Sequence, residues 1–245
     1  MPSTPHPQEG PGRPPGMPPA GALDRLLRDL GELGLGSRIR RGGPATDATP
    51  RRRCATGIAA VDRVLEGGFP RGRLSEITGP PSSGRTSLAL ALLAAATAAG
   101  ELVALVDASD AFAPDAATAA GVDLGRVLWA RAPRPVEALR GAECLLQTAG
   151  FALVLLDLAH STAERSSPAW LRLARVAAAS DAALVVLASG PLAGSCAALR
   201  LEMQPAGTRF AGTPALFEGL ETRAVVVRNR LGAPDRATSL RLHAA

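Results

Sequence analysis

From residue 56 onward, short apolar runs alternate with longer segments whose apolar residues recur at helical spacing. Apolar runs of this length predict buried strands, and the segments between them predict helices. The predicted strands are 74–78, 102–106, 151–156 and 183–187, and the predicted helices are 85–99, 136–149 and 168–179. Strands that are apolar along their length and alternate with helices predict an α/β fold, with a mostly parallel sheet covered by helices on both faces.

The pattern changes in the last fifth of the chain. Three further strands are predicted at 198–203, 224–228 and 239–242, and turns rather than helices separate them. Strands joined by turns pair in antiparallel fashion. We therefore expect an antiparallel C-terminal extension of the parallel sheet.

The N-terminal part has a different character. Residues 1–20 contain eight of the 21 prolines, which predicts a disordered Pro-rich tail. A helix and a polar linker are predicted over residues 21–53, and the core domain is predicted over 54–245. The helix carries five leucines on one face, namely Leu23, Leu26, Leu27, Leu30 and Leu33. This stripe either covers the chain's own core or docks on a neighbouring molecule, because the linker separates it from the rest.

Composition narrows the choice of partners and compartment. The chain has 245 residues, 47% of them hydrophobic, which is enough for one substantial core. All 27 basic residues are Arg and the net charge is +5, which permits a nucleic-acid or acidic partner. Aromatic residues at 3% argue against a base-stacking surface. No apolar run is long enough to cross a bilayer, so we expect a soluble, cytoplasmic protein.

The three cysteines, Cys54, Cys144 and Cys196, are odd in number and widely separated. Such spacing fits neither a disulfide framework nor a zinc site. The sequence therefore predicts that they are small buried hydrophobic residues in a reducing compartment.

Residues 79–86 carry the strongest chemical signal. They fit the pattern G-x-x-x-x-G-K-[ST], except that Arg85 replaces the Lys, with a predicted strand before and a helix after. In such a loop, backbone N–H groups at a helix N-terminus bind phosphate. Arg is longer than Lys and fork-shaped, so it is not an equivalent substitute. The predicted nucleotide-binding residues are Gly79, Ser82, Ser83, Gly84, Arg85, Thr86 and Ser87.

The same pattern also predicts two ligands for a magnesium ion. Thr86 stands where the loop hydroxyl holds Mg²⁺. The apolar strand 151–156 ends in Asp157, which has the form of a Walker B strand. Thr86 and Asp157 are therefore the predicted magnesium ligands.

Three segments together resemble the RecA/recombinase family. Residues 56–79 resemble that family's approach to its nucleotide loop, residues 107–124 its next segment, and residues 225–234 its "VVKNK…AP" strand. The resemblance extends from about residue 22 to 242. It implies a RecA-like nucleotide-binding core, ATP or ADP with Mg²⁺ as cofactor, and an N-terminal helix that packs on the adjacent subunit. It also places Arg228 and Arg230 where two Lys reach a neighbour's nucleotide, although both are equally explained as strand-end residues of a Lys-free chain.

The departures from the family pattern concern activity. Ser109 stands at the position of the catalytic glutamate, and Ser cannot act as a general base at neutral pH. The aromatic that stacks on adenine falls near Ala116, and the γ-phosphate sensor, where a Gln would be expected, falls near Ser189 and Gly190. Both DNA-binding loops are shortened, the first within 157–189 and the second to about 191–195. Arg85 likewise weighs against retained nucleotide binding.

This combination is most similar to the degenerate RecA-like accessory proteins of bacterial translesion synthesis, the ImuA and SulA-type group. The resemblance implies an adaptor, without catalytic residues, in DNA repair and the damage-induced (SOS) response. Its expected partners are a recombinase (RecA) and/or a Y-family-like polymerase subunit, with weak DNA contact at the nucleoid. Two alternatives stay open: an ATP-dependent DNA-binding ATPase of the recombinase family, and a SulA-type inhibitor of cell division.

Overall fold

A computed structural model describes residues 52–160 and 168–243, together with Arg28 and Glu32. Arg28 and Glu32 are helical and exposed. The predicted Pro-rich tail and the five leucines themselves lie outside the described residues. The core described below lies within one compact unit, Thr49–Ala245.

Ten strands and five α-helices make up the described core. The strands are β1 (Arg53–Cys54), β2 (Phe69–Pro70), β3 (Leu74–Thr78), β4 (Leu102–Asp107), β5 (Val127–Arg131), β6 (Phe151–Asp157), β7 (Ala183–Ala188), β8 (Leu199–Ala211), β9 (Leu216–Asn229) and β10 (Ala237–His243). The helices are α1 (Ala59–Val64), α2 (Arg85–Ala98), α3 (Pro114–Ala119), α4 (Pro135–Gln147) and α5 (Pro168–Ala179). The predicted helices and parallel strands are present, with ends that differ by a residue or two.

The central sheet has eight strands in the order β10-β9-β8-β3-β7-β6-β4-β5. Strands β3 to β7 pair in parallel, and β8, β9 and β10 pair with one another in antiparallel fashion. The predicted α/β fold with an antiparallel extension is therefore confirmed. One detail differs, because β8 also pairs in parallel with β3, Ser75 lying opposite Leu199. The segment 189–198 crosses over β3 and so returns β8 in the same direction.

Helices cover both faces of the parallel sheet. Helices α1, α2 and α3 pack on one face, where Leu88 and Leu92 are fully buried. Helices α4 and α5 pack on the other, where Leu139 and Trp170 are buried. Burying a large apolar side chain contributes about 1.5–3 kcal/mol, so these two layers hold the sheet rigid beneath the loops at its edge.

The hairpin of β8 and β9 is longer than the sequence predicts. Its outer half, residues 205–218, is exposed apart from Arg209 and Ala211, which are half-buried. Phe210 lies opposite Phe217 there, with ring centroids 5.8 Å apart in an edge-to-face arrangement. The described core therefore carries a two-stranded arm that extends away from its apolar layers.

The cysteine prediction is wrong for one residue and partly wrong for another. Cys54 is buried, Cys196 is half-buried and Cys144 is exposed on α4. The helix predicted over this region turns Cys144 away from the core, while Ala142 and Leu146 face inward. Within the described ranges, no helix has the length and apolarity that crossing a membrane requires.

We expect thiol reagents to label Cys144 in the native protein and to reach Cys54 only after unfolding. The Cys54 thiol donates to the carbonyl of Ala152 at 3.3 Å, and burial raises its pKa, so little thiolate forms. Mass spectrometry after brief alkylation, with and without denaturant, measures this order. Native labelling of Cys54 at the rate of Cys144 would contradict the packing described here.

Candidate nucleotide-binding site

Residues 79–84, called the phosphate loop below, connect β3 to α2. The backbone of Gly84 is left-handed (φ +86°) and caps α2, and a Cβ there would overlap Leu242. Gly79 lies against the carbonyl of Met203, with equally little space for a side chain. Thr222 donates its hydroxyl to the carbonyl of Ser83 at 2.8 Å. The loop is thus held in shape by β8, β9 and β10 as well as by its own turn.

Arg85 points into the loop. Its residue is 5% exposed, and its Nη1 donates to the carbonyl of Gly79. Burial lowers the pKa of Arg85, and the negative charge of Asp157 acts against that shift. The guanidinium therefore serves as an internal brace. This contact explains how an Arg fits where the pattern calls for a Lys.

Above the loop lies a depression of about 220 Å³. It is lined by Pro81, Ser82, Ser83, Gly84, Arg85, Thr86, Ser87, His160 and Leu220. Six of the seven predicted nucleotide-binding residues meet there, and Gly79 lies at the start of the loop. The Ser83 hydroxyl is buried and has no hydrogen-bond partner among the described residues. Because α2 is 14 residues long, its N-terminus also favours an anion at this position.

The two predicted magnesium ligands face a common space. Thr86 is exposed near the start of α2, and Asp157 is half-buried at the end of β6. Both line an adjoining cavity of about 110 Å³. Burial raises the pKa of Asp157, while the N–H of Ala159 donates to its carboxylate at 2.8 Å and opposes that shift. A hydroxyl and a carboxylate are oxygen ligands that suit Mg²⁺, which takes its remaining ligands from phosphate and water.

The match to known proteins decides the family. Residues 23–167 match the RecA N-terminal domain family. The chain belongs to the RecA family. It is 38% identical over 138 residues to protein RecA of Rubrobacter xylanophilus, covering 56% of this chain and 40% of that protein. It is 39% identical over 127 residues to protein RecA of Chlorobaculum parvum, covering 51% and 36%. The matched segment thus spans about two fifths of these relatives.

A solved structure has the same fold. The crystal structure of the RadB recombinase superposes with a TM-score of 0.59 at 23% sequence identity. The superposition covers 77% of this chain and 95% of RadB. At this identity the likeness concerns the fold, and the fold is that of the RecA family.

Ser109, predicted to stand at the position of the RecA family's catalytic glutamate, makes structural contacts. Its N–H donates to the carboxylate of Asp107 at 3.0 Å, and its hydroxyl accepts from the N–H of His160 at 3.2 Å. The hydroxyl therefore links the segment after β4 to the segment after β6. Ala116 lines the 110 Å³ cavity beside Phe112 and carries no ring.

The second DNA loop, predicted at about 191–195, lies in a segment that is held on the core. This segment comprises the ten residues 189–198 between β7 and β8. The carboxylate of Glu76, fully buried in β3, accepts from the N–H groups of Leu192 at 2.8 Å and Ala193 at 2.7 Å. It also accepts from Arg200 at 2.8 Å. The first of the two predicted loops includes residues 161–167, which lie outside the described residues.

Arg228 is near enough to Glu76, Arg200 and Arg230 to interact with their charges, and neither Arg228 nor Arg230 lines the phosphate depression. Arg228 is opposite Arg200 in the sheet, and its Nε is buried without a partner among the described residues. Burial and the nearby Arg230 and Arg200 lower the pKa of Arg228. Among the described residues, Glu76 is the one carboxylate whose charge acts on Arg228, against Arg200 and Arg230, so these residues carry net positive charge.

Two residues near the site, Glu76 and His160, are not among the site residues predicted from the sequence. A carboxylate inside the strand 74–78, together with Arg200 inside an apolar strand, is a readable sign of a buried pair. His160 follows Asp157 by three residues, which places it at the carboxyl end of the strand, where ligands of α/β folds bind.

Proposed function

We propose that this RecA-family chain is an accessory protein of DNA repair and damage-induced (SOS) translesion synthesis that does not hydrolyse ATP. One observation carries the proposal. The resemblance to the RecA family puts Ser109 at the general-base position, and the hydroxyl of Ser109 accepts from the N–H of His160. A Ser at that position offers no carboxylate to take a proton from an attacking water. A positioned base typically accounts for about 10²–10⁴-fold in rate.

The nucleotide is a bound ligand in this proposal. The phosphate loop and the N-terminus of α2 hold the phosphates of ATP or ADP, and Thr86 and Asp157 hold Mg²⁺. A bound Mg²⁺ would neutralise phosphate charge. Because Arg85 braces the loop from inside, it contributes little to the phosphates, and affinity is weaker than a Lys at this position would give.

The partner is a recombinase (RecA), a Y-family-like polymerase subunit, or both. Docking occurs through Leu23, Leu26, Leu27, Leu30 and Leu33, and the cluster of Arg228 and Arg230 forms an interface or reaches a neighbour's phosphate. Arg28 and Glu32 are helical and exposed, which supports a helix at this place in the chain. A cytoplasmic location at the nucleoid goes with this role.

We expect no appreciable ATP turnover by the purified protein, with or without single-stranded DNA. The measurement is phosphate release over hours, beside an authentic RecA as positive control. Asp157→Ala serves as the matched negative control, because it removes one of the two magnesium ligands. Several DNA-stimulated turnovers per minute that Asp157→Ala abolishes would refute the proposal.

That refuting result would favour the second candidate, an ATP-dependent DNA-binding ATPase of the recombinase family. The observation that favours it is the phosphate loop itself, because the depression above the loop adjoins the cavity that Thr86 and Asp157 line. In that case Arg85 would have to leave the carbonyl of Gly79 during turnover.

Binding to single-stranded DNA is expected to be weak and strongly dependent on salt. Glu76 holds the segment 189–198 against the core, so contact rests on Arg–phosphate pairs. The logarithm of the affinity then falls by about 0.7 per contact for each tenfold rise in salt. Fluorescence anisotropy at several salt concentrations measures the slope. Tight binding that salt leaves unchanged would indicate base stacking instead.

A further inference from the structure

His160 stands at the mouth of the phosphate loop. It is the third residue after the end of β6 and is exposed. It lines the 220 Å³ depression above the loop as well as the 110 Å³ cavity that Thr86 and Asp157 share. No other residue besides Thr86 lines both spaces, among the described residues. His160 therefore lies between the depression above the phosphate loop and the cavity that holds the predicted magnesium ligands.

The phosphate loop places no positively charged side chain on the open side of the depression. Of the described residues that line it, Arg85 and His160 alone have side chains that can carry positive charge. Arg85 is buried and donates to the carbonyl of Gly79. Of these two residues, only His160 is exposed. An imidazole has at least one N–H donor in either charge state.

The position of His160 is set by its neighbours. Its backbone N–H donates to the hydroxyl of Ser109 at 3.2 Å, and Ser109 is itself fixed by Asp107. The side chain therefore starts from a backbone tied to both β4 and β6. A second sign of a ligand comes from Ser83, whose buried hydroxyl lines the same depression without a partner among the described residues. Such an orphaned donor is rare in a native fold unless a ligand or water completes it.

We infer that His160 is a phosphate-contacting residue, whose imidazole N–H donates to a phosphate group seated on the loop. This rests on the nucleotide binding proposed above and deepens it. In the usual loop a single Lys contacts the phosphates. Here Arg85 stabilises the loop from inside, and His160 supplies the donor to the phosphate.

The test uses inorganic pyrophosphate and Mg²⁺–ADP as probes on the full chain. The chain has three His, at positions 6, 160 and 243, so the imidazole signals are few enough to follow by NMR. His160→Ala assigns the His160 signal by its loss, and His243→Ala is the matched control outside the depression. Calorimetry gives the affinity, and thermal unfolding checks that each variant is folded.

We expect the His160 signal to shift saturably with either probe. His160→Ala should weaken binding about tenfold or more, as expected when a hydrogen bond to a charged group is lost. His160→Gln, which keeps an N–H donor, should recover part of the loss, and His243→Ala should bind as the parent does. Binding with an unmoved His160 signal and equal affinity in His160→Ala would overturn the inference alone.

If the parent binds neither probe at millimolar concentration, the inference fails together with the proposed nucleotide binding. The accessory role stands or falls on other measurements, ATP turnover and partner binding, so the failures are distinguishable.

Discussion

Glu76→Ala is expected to lower the free energy of unfolding by about 3–5 kcal/mol, the usual cost of removing one partner from a buried ion pair. The substitution leaves the guanidinium of Arg200 without its carboxylate, and Arg200 is only 17% exposed at its side chain. It also leaves the N–H groups of Leu192 and Ala193 without an acceptor. In a domain of this size the melting temperature should fall by roughly 6–20 °C.

Thermal and urea unfolding followed by circular dichroism measure this loss. Glu143→Ala is the matched control, because Glu143 pairs at 2.8 Å with Arg172, whose side chain is 55% exposed. Such a surface pair contributes about 0–1 kcal/mol. A loss in Glu76→Ala no larger than in Glu143→Ala would mean that the segment 189–198 is not held by Glu76.

Leu26→Asp combined with Leu30→Asp should abolish binding to the recombinase or polymerase partner. Each buried Leu contributes about 1.5–3 kcal/mol, so losing two weakens an interface by more than about 100-fold. The core should stay folded, because both positions precede the compact unit Thr49–Ala245. Surface-binding assays with each candidate partner, and circular dichroism of the variant, provide the two readouts.

Glu32→Ala is the control on the same predicted helix, since Glu32 is helical and exposed. It should bind as the parent does. If the double variant binds equally well, the helix is not the docking surface. If the double variant unfolds instead, the leucine stripe covers the chain's own core, which is the other interpretation of the pattern.

The parallel strands could be predicted because their apolar runs are continuous, as in 151–156. Strand β5 (Val127–Arg131) could not, because it lies at the sheet edge and mixes half-buried with exposed residues. Helices α1 and α3 have six residues each, too few to show a helical period. The outer part of β8 contains Pro205 and Gly207, which indicate a turn locally. Pairing with β9 makes it a strand.

The phosphate loop and Asp157 could be predicted because each is a local pattern. The direction of Arg85 could not, since its acceptor is a backbone carbonyl that leaves no trace in residue types. The partners of Glu76 lie 116 to 124 residues away in the chain. Only the topology of the sheet, with β8 beside β3, brings them together.

The way the phosphate loop is packed sets a limit on where this chain can be divided. The match to the RecA N-terminal domain family ends at residue 167. The groups that enclose the loop come later, from Met203, Thr222 and Leu242. A fragment cut at the family boundary would contain every motif residue from Gly79 to Asp157 and would still lack the scaffold that shapes them. The smallest piece with an intact site extends through β10.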